Sequence, residues 1–153
     1  MCKKVSIKVS VIGRGAPDYI EFIEDYARTL GVEHVIEFVG YVEDTREWYL
    51  KSDIVVMASR LEAFGRVTVE AMMSGCLVVG ADSGGTSEII SNGITGILYD
   101  ASKKNDLLDK LEYAVWHKEI SRQIAENGRQ FVKSNFSALR NADEVYKVYK
   151  LYC

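Results

Sequence analysis

The apolar positions of this chain repeat with two periods, and the changes between them mark out its elements. Residues 5–12 alternate and then turn wholly apolar before breaking at Gly13-Arg14-Gly15, which predicts a strand and a glycine turn. Pro17, the only proline, suits the first turn of a helix, where its missing N–H would have no partner anyway. Tyr19, Phe22, Ile23, Tyr26, Ala27 and Leu30 then recur at helical spacing, and Gly31 is a natural stop. Residues 35–39 predict a second strand closed by Gly40-Tyr41-Val42, and 45–51 a short helix. The short β-branched run 53–57 reads as a buried parallel strand, and 77–81 as another. Residues 82–86 read as a glycine loop leading to a helical turn at 87–90, with extended chain again at 96–99. From Lys103 the period is helical. Leu107, Leu108, Leu111, Ala114 and Val115 mark one face, and Ile120, Ile124, Phe131 and Val132 a second. Ala142, Val145, Tyr146, Tyr149 and Tyr152 form a last stripe. Strands alternating with helices predict an α/β fold, a three-layer Rossmann-like parallel sheet with helices on both faces and a helical tail.

Chemistry meets this pattern at 59–75, S-R-L-E-A-F-G-R-V-T-V-E-A-M-M-S-G. Glu62 and Glu70 stand here on either side of Gly65, at the predicted turn from strand into helix. Residues 67–73 are almost wholly apolar, so the helix reads as covered on several sides and Glu70 as a buried acid. A carboxylate removed from water costs several kcal/mol, of order 3 or more, unless something pairs with it. The carboxyl ends of strands are where open α/β sheets bind ligands. Gly65 has no Cβ, which would let phosphates approach backbone N–H groups at a positively polarised helix start. The bland alternatives are that Glu62 caps this helix and that Glu70 bonds neighbouring backbone. The spacing of two glutamates alone is weak, since charged helices generate it often.

Composition narrows the classes. A chain of 153 residues with 48% hydrophobic residues suits one domain with a real core. A net charge of −3, with positive charge scattered, gives no pointer to nucleic acid, and none is expected as a partner. The three cysteines, Cys2, Cys76 and Cys153, are odd in number and lack CxxC spacing. They point to a reducing compartment and away from disulfides and zinc. No apolar run approaches the roughly 18 residues of a spanning helix and no signal peptide precedes the first strand, so the expectation is a soluble cytoplasmic domain.

Other site classes lack members. Gly13-Arg14-Gly15 would need glycine at 18 for a dinucleotide fingerprint, and Asp18 stands there. No phosphate-loop lysine motif and no D-x-D pair occurs. His34 and His117 have no nucleophile or acid in company. A receiver-type signalling domain would want an acidic pair where Gly13-Arg14 stands.

Several motifs in register resemble a known family. V-I-G-R-G-A-P, I-E-F-V-G-Y-V, S-D-I-V-V-M-A-S, E-A-F-G-R-V-T-V-E-A-M-M-S-G, V-V-G-A-D-S-G-G-T-S-E-I-I and N-G-I-T-G-I-L-Y-D run in order over about residues 7–100. Together they resemble the C-terminal, donor nucleotide-sugar domain of retaining GT-B glycosyltransferases, family 4 (glycosyl transferases group 1). Such enzymes move a sugar from a nucleoside diphosphate to an acceptor hydroxyl with retention. The resemblance implies that Glu62 is the catalytic candidate, engaging hydroxyls of the donor sugar. It implies that backbone around Ala63, Phe64 and Gly65 contacts sugar and phosphates, and that Glu70 binds the ribose. Gly40-Tyr41-Val42 would frame the base, with Gly13 and Gly15 bordering the same pocket. Gly84, Gly85 and Glu88 would shape a wall, Glu88 equally serving as a helix cap. Arg66, where an aliphatic residue is commoner, is open between phosphate and solvent. Leu77 replaces a frequent proline away from the site. No metal or other cofactor is implied beyond the nucleotide-sugar substrate.

The resemblance covers one half of a two-domain enzyme. The N-terminal acceptor domain, and the strand and basic loop that usually open this second domain, have no counterpart ahead of Val5. The expectation is a single Rossmann-like domain over 1–153 that needs an acceptor domain in cis or in trans and is inactive alone. The full enzyme would serve polysaccharide or glycan synthesis, peripheral at the inner face of the membrane. The terminal tyrosine stripe either packs on its own domain or crosses to the missing one, in which case the isolated chain self-associates. Two alternatives stand beside the transferase: a non-catalytic nucleotide-binding module of the same fold, and half of a nucleotide-sugar epimerase.

Overall fold

The computed structural model describes residues 5–59, 62–136, 146, 147 and 150. The chain divides into two compact units, Met1–Thr45 and Arg46–Cys153.

In the first unit, strand β1 (Val9–Ile12) leads to helix α1 (Pro17–Thr29), a single 3₁₀ turn at Glu33–Val35, and strand β2 (Ile36–Gly40). The two strands pair in parallel, Val9 opposite Ile36 and Ile12 opposite Gly40, with a register shift after Val11. Pro17 opens α1, as its fixed φ favours, and the chain turns beyond Leu30 through Gly31 at φ 69°. Ala27 is the buried residue of this helix, and Ile20 and Ile23 are half-buried. Tyr19, Phe22 and Tyr26 lie outside, stacked in a row with ring centroids 6.5 and 6.4 Å apart. The helical repeat is therefore wider than the face that a two-stranded sheet covers.

The second unit holds helix α2 (Arg46–Leu50), strand β3 (Ile54–Met57), helix α3 (Arg66–Met73), strand β4 (Leu77–Ala81), helix α4 (Gly84–Ile89), strand β5 (Ile97–Tyr99), and helices α5 (Asp106–Trp116) and α6 (Lys118–Asn135). The strands form one parallel sheet in the order β3-β4-β5. Every residue of β4 is buried, and its alternating side chains divide the core in two. Val78 packs with Met57, Ala71, Met72, Ile89 and Val132. Leu77, Val79 and Ala81 pack on the other side with Ile97, Tyr99, Ala114 and Ile124. Helices α3 and α4 thus cover one face and α5 the other, while α6 contributes Val132 to the first cluster and Ile124 to the second.

This is the parallel, Rossmann-like α/β fold that the pattern predicts. Among the described residues its ladders fall into two sets, which the sequence could not foretell, since periodicity tells which segments are strands and not which are neighbours. Leu108 and Ile120, read as face-forming, are exposed. No helix among the described residues is long and apolar enough to cross a membrane. Of the terminal stripe, Tyr146 is described and exposed. Ala142, Val145, Tyr149 and Tyr152 lie outside the described residues, as do Cys2 and Cys153.

Candidate nucleotide-sugar site

The candidate residues fall into two sets, one in each unit. In the second unit, Glu62 follows the carboxyl end of β3 in the sequence. Glu62 is half-buried, and its Oε1 accepts the Gly65 backbone N–H at 3.0 Å. Gly65 is the residue before α3 and holds φ 78°, a left-handed conformation open to glycine at little cost. The Glu62 carboxylate therefore sits against the positive end of α3, where a negative group is favoured. A cap by Glu62 was one sequence alternative, and this is the contact the structure contains.

The loop is seated on the start of α4. Gly85 N–H donates to the Glu62 carbonyl at 2.8 Å. A Cβ on Gly84 would clash with that same carbonyl, and one on Gly85 would stand 2.8 Å from the Phe64 carbonyl carbon. These two glycines are demanded by backbone lying on backbone. They also belong to a helix: the sequence placed 82–86 in a loop, whereas α4 already begins at Gly84. Low glycine propensity hid a turn that the tertiary contact imposes. At Gly65 a Cβ would meet Ile89 Cδ1 at 2.8 Å, so the missing side chain makes room for α4. Ala63 and Phe64 are exposed, and the Phe64 ring meets Phe136 edge-on at 6.4 Å.

Glu70 requires a correction. It is not a buried acid, since its side chain is 41% exposed. At 100° per residue it lies about 160° around α3 from Thr68, which is fully buried with Ala71 and Met72. Val67 and Met73 on the flanks are exposed too, so the helix is covered on one side only. Both Glu70 oxygens have partners. The Tyr49 hydroxyl donates to Oε2 at 3.3 Å, and Arg66 Nη2 donates to Oε1 at 3.4 Å across one helical turn. Arg66 thus points along the helix to Glu70, its side chain 82% exposed.

Tyr49 is the residue that sequence reading missed. It is buried on α2, 21 positions before Glu70, and no fixed spacing announces such a pair. Its main-chain carbonyl also accepts the Cys76 thiol at 3.1 Å, which ties α2 to the start of β4. Burial, then the nearby Asp53 carboxylate, push that thiol up to about 11. Glu88 is exposed on α4.

In the first unit, the 13–15 turn and the 40–42 segment leave the carboxyl ends of two paired strands. Gly13 N–H donates to the Gly40 carbonyl at 2.8 Å and joins them. Gly15 lies against Ile20 at the start of α1. Tyr41 is 61% exposed, Val42 half-buried, and the Arg14 guanidinium carbon stands 4.2 Å from the Tyr41 ring centroid.

With this geometry in view, the sequence profile of the glycosyl transferases group 1 matches residues 2–131. The chain belongs to that family. An uncharacterised glycosyltransferase of Methanocaldococcus jannaschii is 32% identical over 139 residues, which are 90% of this chain and 36% of that protein. Among solved structures, the C-terminal domain of a glycosyl transferase group 1 protein (LpcC) of Francisella tularensis is 31% identical with TM-score 0.78, covering 86% of this chain and 70% of that one. HepE of Anabaena, solved in complex with UDP-glucose, is 25% identical with TM-score 0.85, covering 94% of this chain and 40% of HepE. The chain thus spans well under half the length of the Methanocaldococcus jannaschii protein and of HepE, and 70% of the C-terminal domain of LpcC.

Proposed function

We infer that this group 1 chain is the donor-binding domain of a retaining glycosyltransferase that moves a sugar from a nucleoside diphosphate to an acceptor hydroxyl. The observation that carries the reading is the Glu62–Gly65 loop, folded onto the positive end of α3 and seated on two glycines of α4. It places backbone N–H groups, a carboxylate and an exposed helix face at the carboxyl end of a parallel sheet. The donor's diphosphate is drawn to the helix end and the Glu62 carboxylate turns to the sugar hydroxyls, since two anions do not share one dipole. Amides of Ala63, Phe64 and Gly65 bond the sugar and phosphates. Glu70, half in water, accepts from the ribose diol while Arg66 swings toward the phosphates. Gly84 and Gly85 hold the loop. The holding of UDP-glucose by HepE supports a UDP-sugar donor.

The reading needs no resident metal, because a helix end and a guanidinium supply the positive charge. An acceptor domain in cis or in trans completes the enzyme, which acts in glycan or polysaccharide assembly in the cytoplasm or at the inner membrane face. The isolated chain binds donor weakly and transfers nothing; turnover by it alone with any donor–acceptor pair would overturn that part. The decisive experiment titrates nucleoside diphosphates into the wild-type chain and Glu70→Ala while following backbone amide shifts. Loss of ribose contacts predicts about tenfold weaker binding in the variant, the scale of hydrogen bonds to a charged group. An unchanged response would sink the ribose role. A second reading, a binding module without chemistry, is favoured by the capping contact that already occupies Glu62.

A further inference from the structure

Among the described residues of the first unit, only Ala27 is buried. Ile36 and Phe38 of β2 line one cavity with Glu24, Ala27 and Arg28, so these strand side chains face α1. Val9 and Val11 pair with Ile36 and Phe38 in the parallel ladder and point to the same side. Both are nevertheless exposed, as is Ile7 before them. Ser6, Lys8 and Ser10 alternate with this apolar set, and Lys8 Nζ meets Glu37 Oε2 at 2.8 Å. Such alternation belongs to a sheet covered on one face only, the habit of antiparallel sheets.

Helix α1 is uncovered on the matching side. At 100° per residue, Glu21, Glu24 and Arg28 lie about 60–120° from Ala27, on the flank over β2. Tyr19, Phe22 and Tyr26 lie about 80–140° away on the opposite flank, toward β1. Their rings are exposed and stacked in a row. An aromatic row and an apolar strand thus adjoin along the edge of β1 that β2 does not use. Natural edges are guarded by free charges or proline. Here Lys8 is already paired, and the only proline stands beyond the strand at Pro17.

We propose that this edge joins a second copy of the chain, β1 against β1 in antiparallel, across a twofold axis normal to the sheet. The two ladders become one four-stranded sheet, β2-β1-β1-β2, with both α1 helices on the same face. Strands about 4.8 Å apart set helices seated over β1 and β2 roughly 10 Å from each other, the usual spacing of packed helices. The aromatic rows then meet above the joined strands. A register centred on Val9 sets Val9 opposite Val9, Ile7 opposite Val11 and Lys8 opposite Ser10. Centring on Lys8 would oppose two like charges. Glu21 and Glu24 stay on the outer flanks, away from the axis. Ile7, Val9, Val11 and the three rings expose about 700 Å² per copy, near the roughly 800 Å² that each partner brings to a standard interface.

The test follows sedimentation of the 153-residue chain from about 1 to 100 μM, the weak end of the range open to an interface of standard area. The expected result is a shift from one chain to two, with alternate amides of residues 7–11 exchanging more slowly in the dimer. Phe22→Glu, at an exposed position, should weaken association by about thirtyfold or more, the scale of a central aromatic anchor. Glu21→Gln, on the outer flank of the same helix, should leave it unchanged. A single chain at every concentration overturns the proposal. So does a dimer that persists in Phe22→Glu or leaves exchange at 7–11 unaltered, since it would use another surface. Either result leaves the donor reading standing.

Discussion

Gly85→Ala separates the stability of this domain from the seating of its loop. Gly85 is not in the left-handed region, so alanine meets no backbone strain there. As a residue of α4 it gains helix propensity, about 1 kcal/mol over glycine. Against that gain stands the new methyl group. It would lie 2.8 Å from the Phe64 carbonyl carbon, 2.9 Å from the Ala63 oxygen and 3.0 Å from the Phe64 Cα. Carbon atoms rest at about 3.5–4.0 Å, so the loop or the helix must withdraw by roughly 0.5–1 Å. All three obstacles are backbone, and no rotamer relieves them. Overpacking of this kind costs about 1–3 kcal/mol, and stretching the Gly85–Glu62 hydrogen bond adds about 1 kcal/mol. The net expectation is a loss of about 1–3 kcal/mol in urea denaturation, with large amide shift changes at residues 63–65. Gly84→Ala should cost more, about 2–4 kcal/mol, because its φ of 53° adds left-handed strain to its own clash with the Glu62 carbonyl. A Gly85→Ala variant more stable than wild type, with the 63–65 amides unmoved, would refute the seating of the loop on α4.

Two further outcomes test the core. Met72 is fully buried between α3 and β4, so Met72→Ala should destabilise by about 2–5 kcal/mol in denaturant titration, with unchanged slope if the fold stays cooperative. The Cys76 thiol has a folded value raised from 9.0 to about 11 by burial and then by Asp53. A raised value means that the neutral thiol stabilises the fold fully below pH 9.0, and that this share is lost as pH rises toward about 11. Cys76→Ser should flatten that fall in stability between pH 9.0 and about 11, and the native thiol should resist alkylation at pH 8 until the chain unfolds.

The sequence made the strands legible because each is a short β-branched run between turn residues, and β4 emerged with the bounds the pattern predicts. It could not rank their neighbours, since 53–57, 77–81 and 5–12 look alike as runs and differ only in what they meet. Glycines hid two contacts. Gly84-Gly85 read as a loop because glycine is a poor helix former, whereas the loop at 62–65 can rest on α4 only if those positions lack side chains. Gly65 has a packing role that the sequence did not show, since its absent Cβ makes room for Ile89. Both roles depend on a contact between segments some 20 positions apart, which no local window contains.

Glu70 shows how the same limit reaches the chemistry. Its setting in an apolar run argued for burial, yet the run mixes inward Thr68, Ala71 and Met72 with outward Val67 and Met73. The angle alone, two residues or about 160° from Thr68, points Glu70 away from the core. A buried acid would need its ligand to compensate a desolvation cost of several kcal/mol, of order 3 or more, already present in the free protein. A half-exposed acid carries no such cost, and its partners, Tyr49 at 3.3 Å and the exposed Arg66 at 3.4 Å, make long bonds that a diol can replace. The surface pair with Arg66 contributes at most about 0.5 kcal/mol, so releasing that arginine toward a phosphate takes little from the fold. The position therefore suits a reversible contact with a polar ligand better than the buried anomaly read from the sequence did.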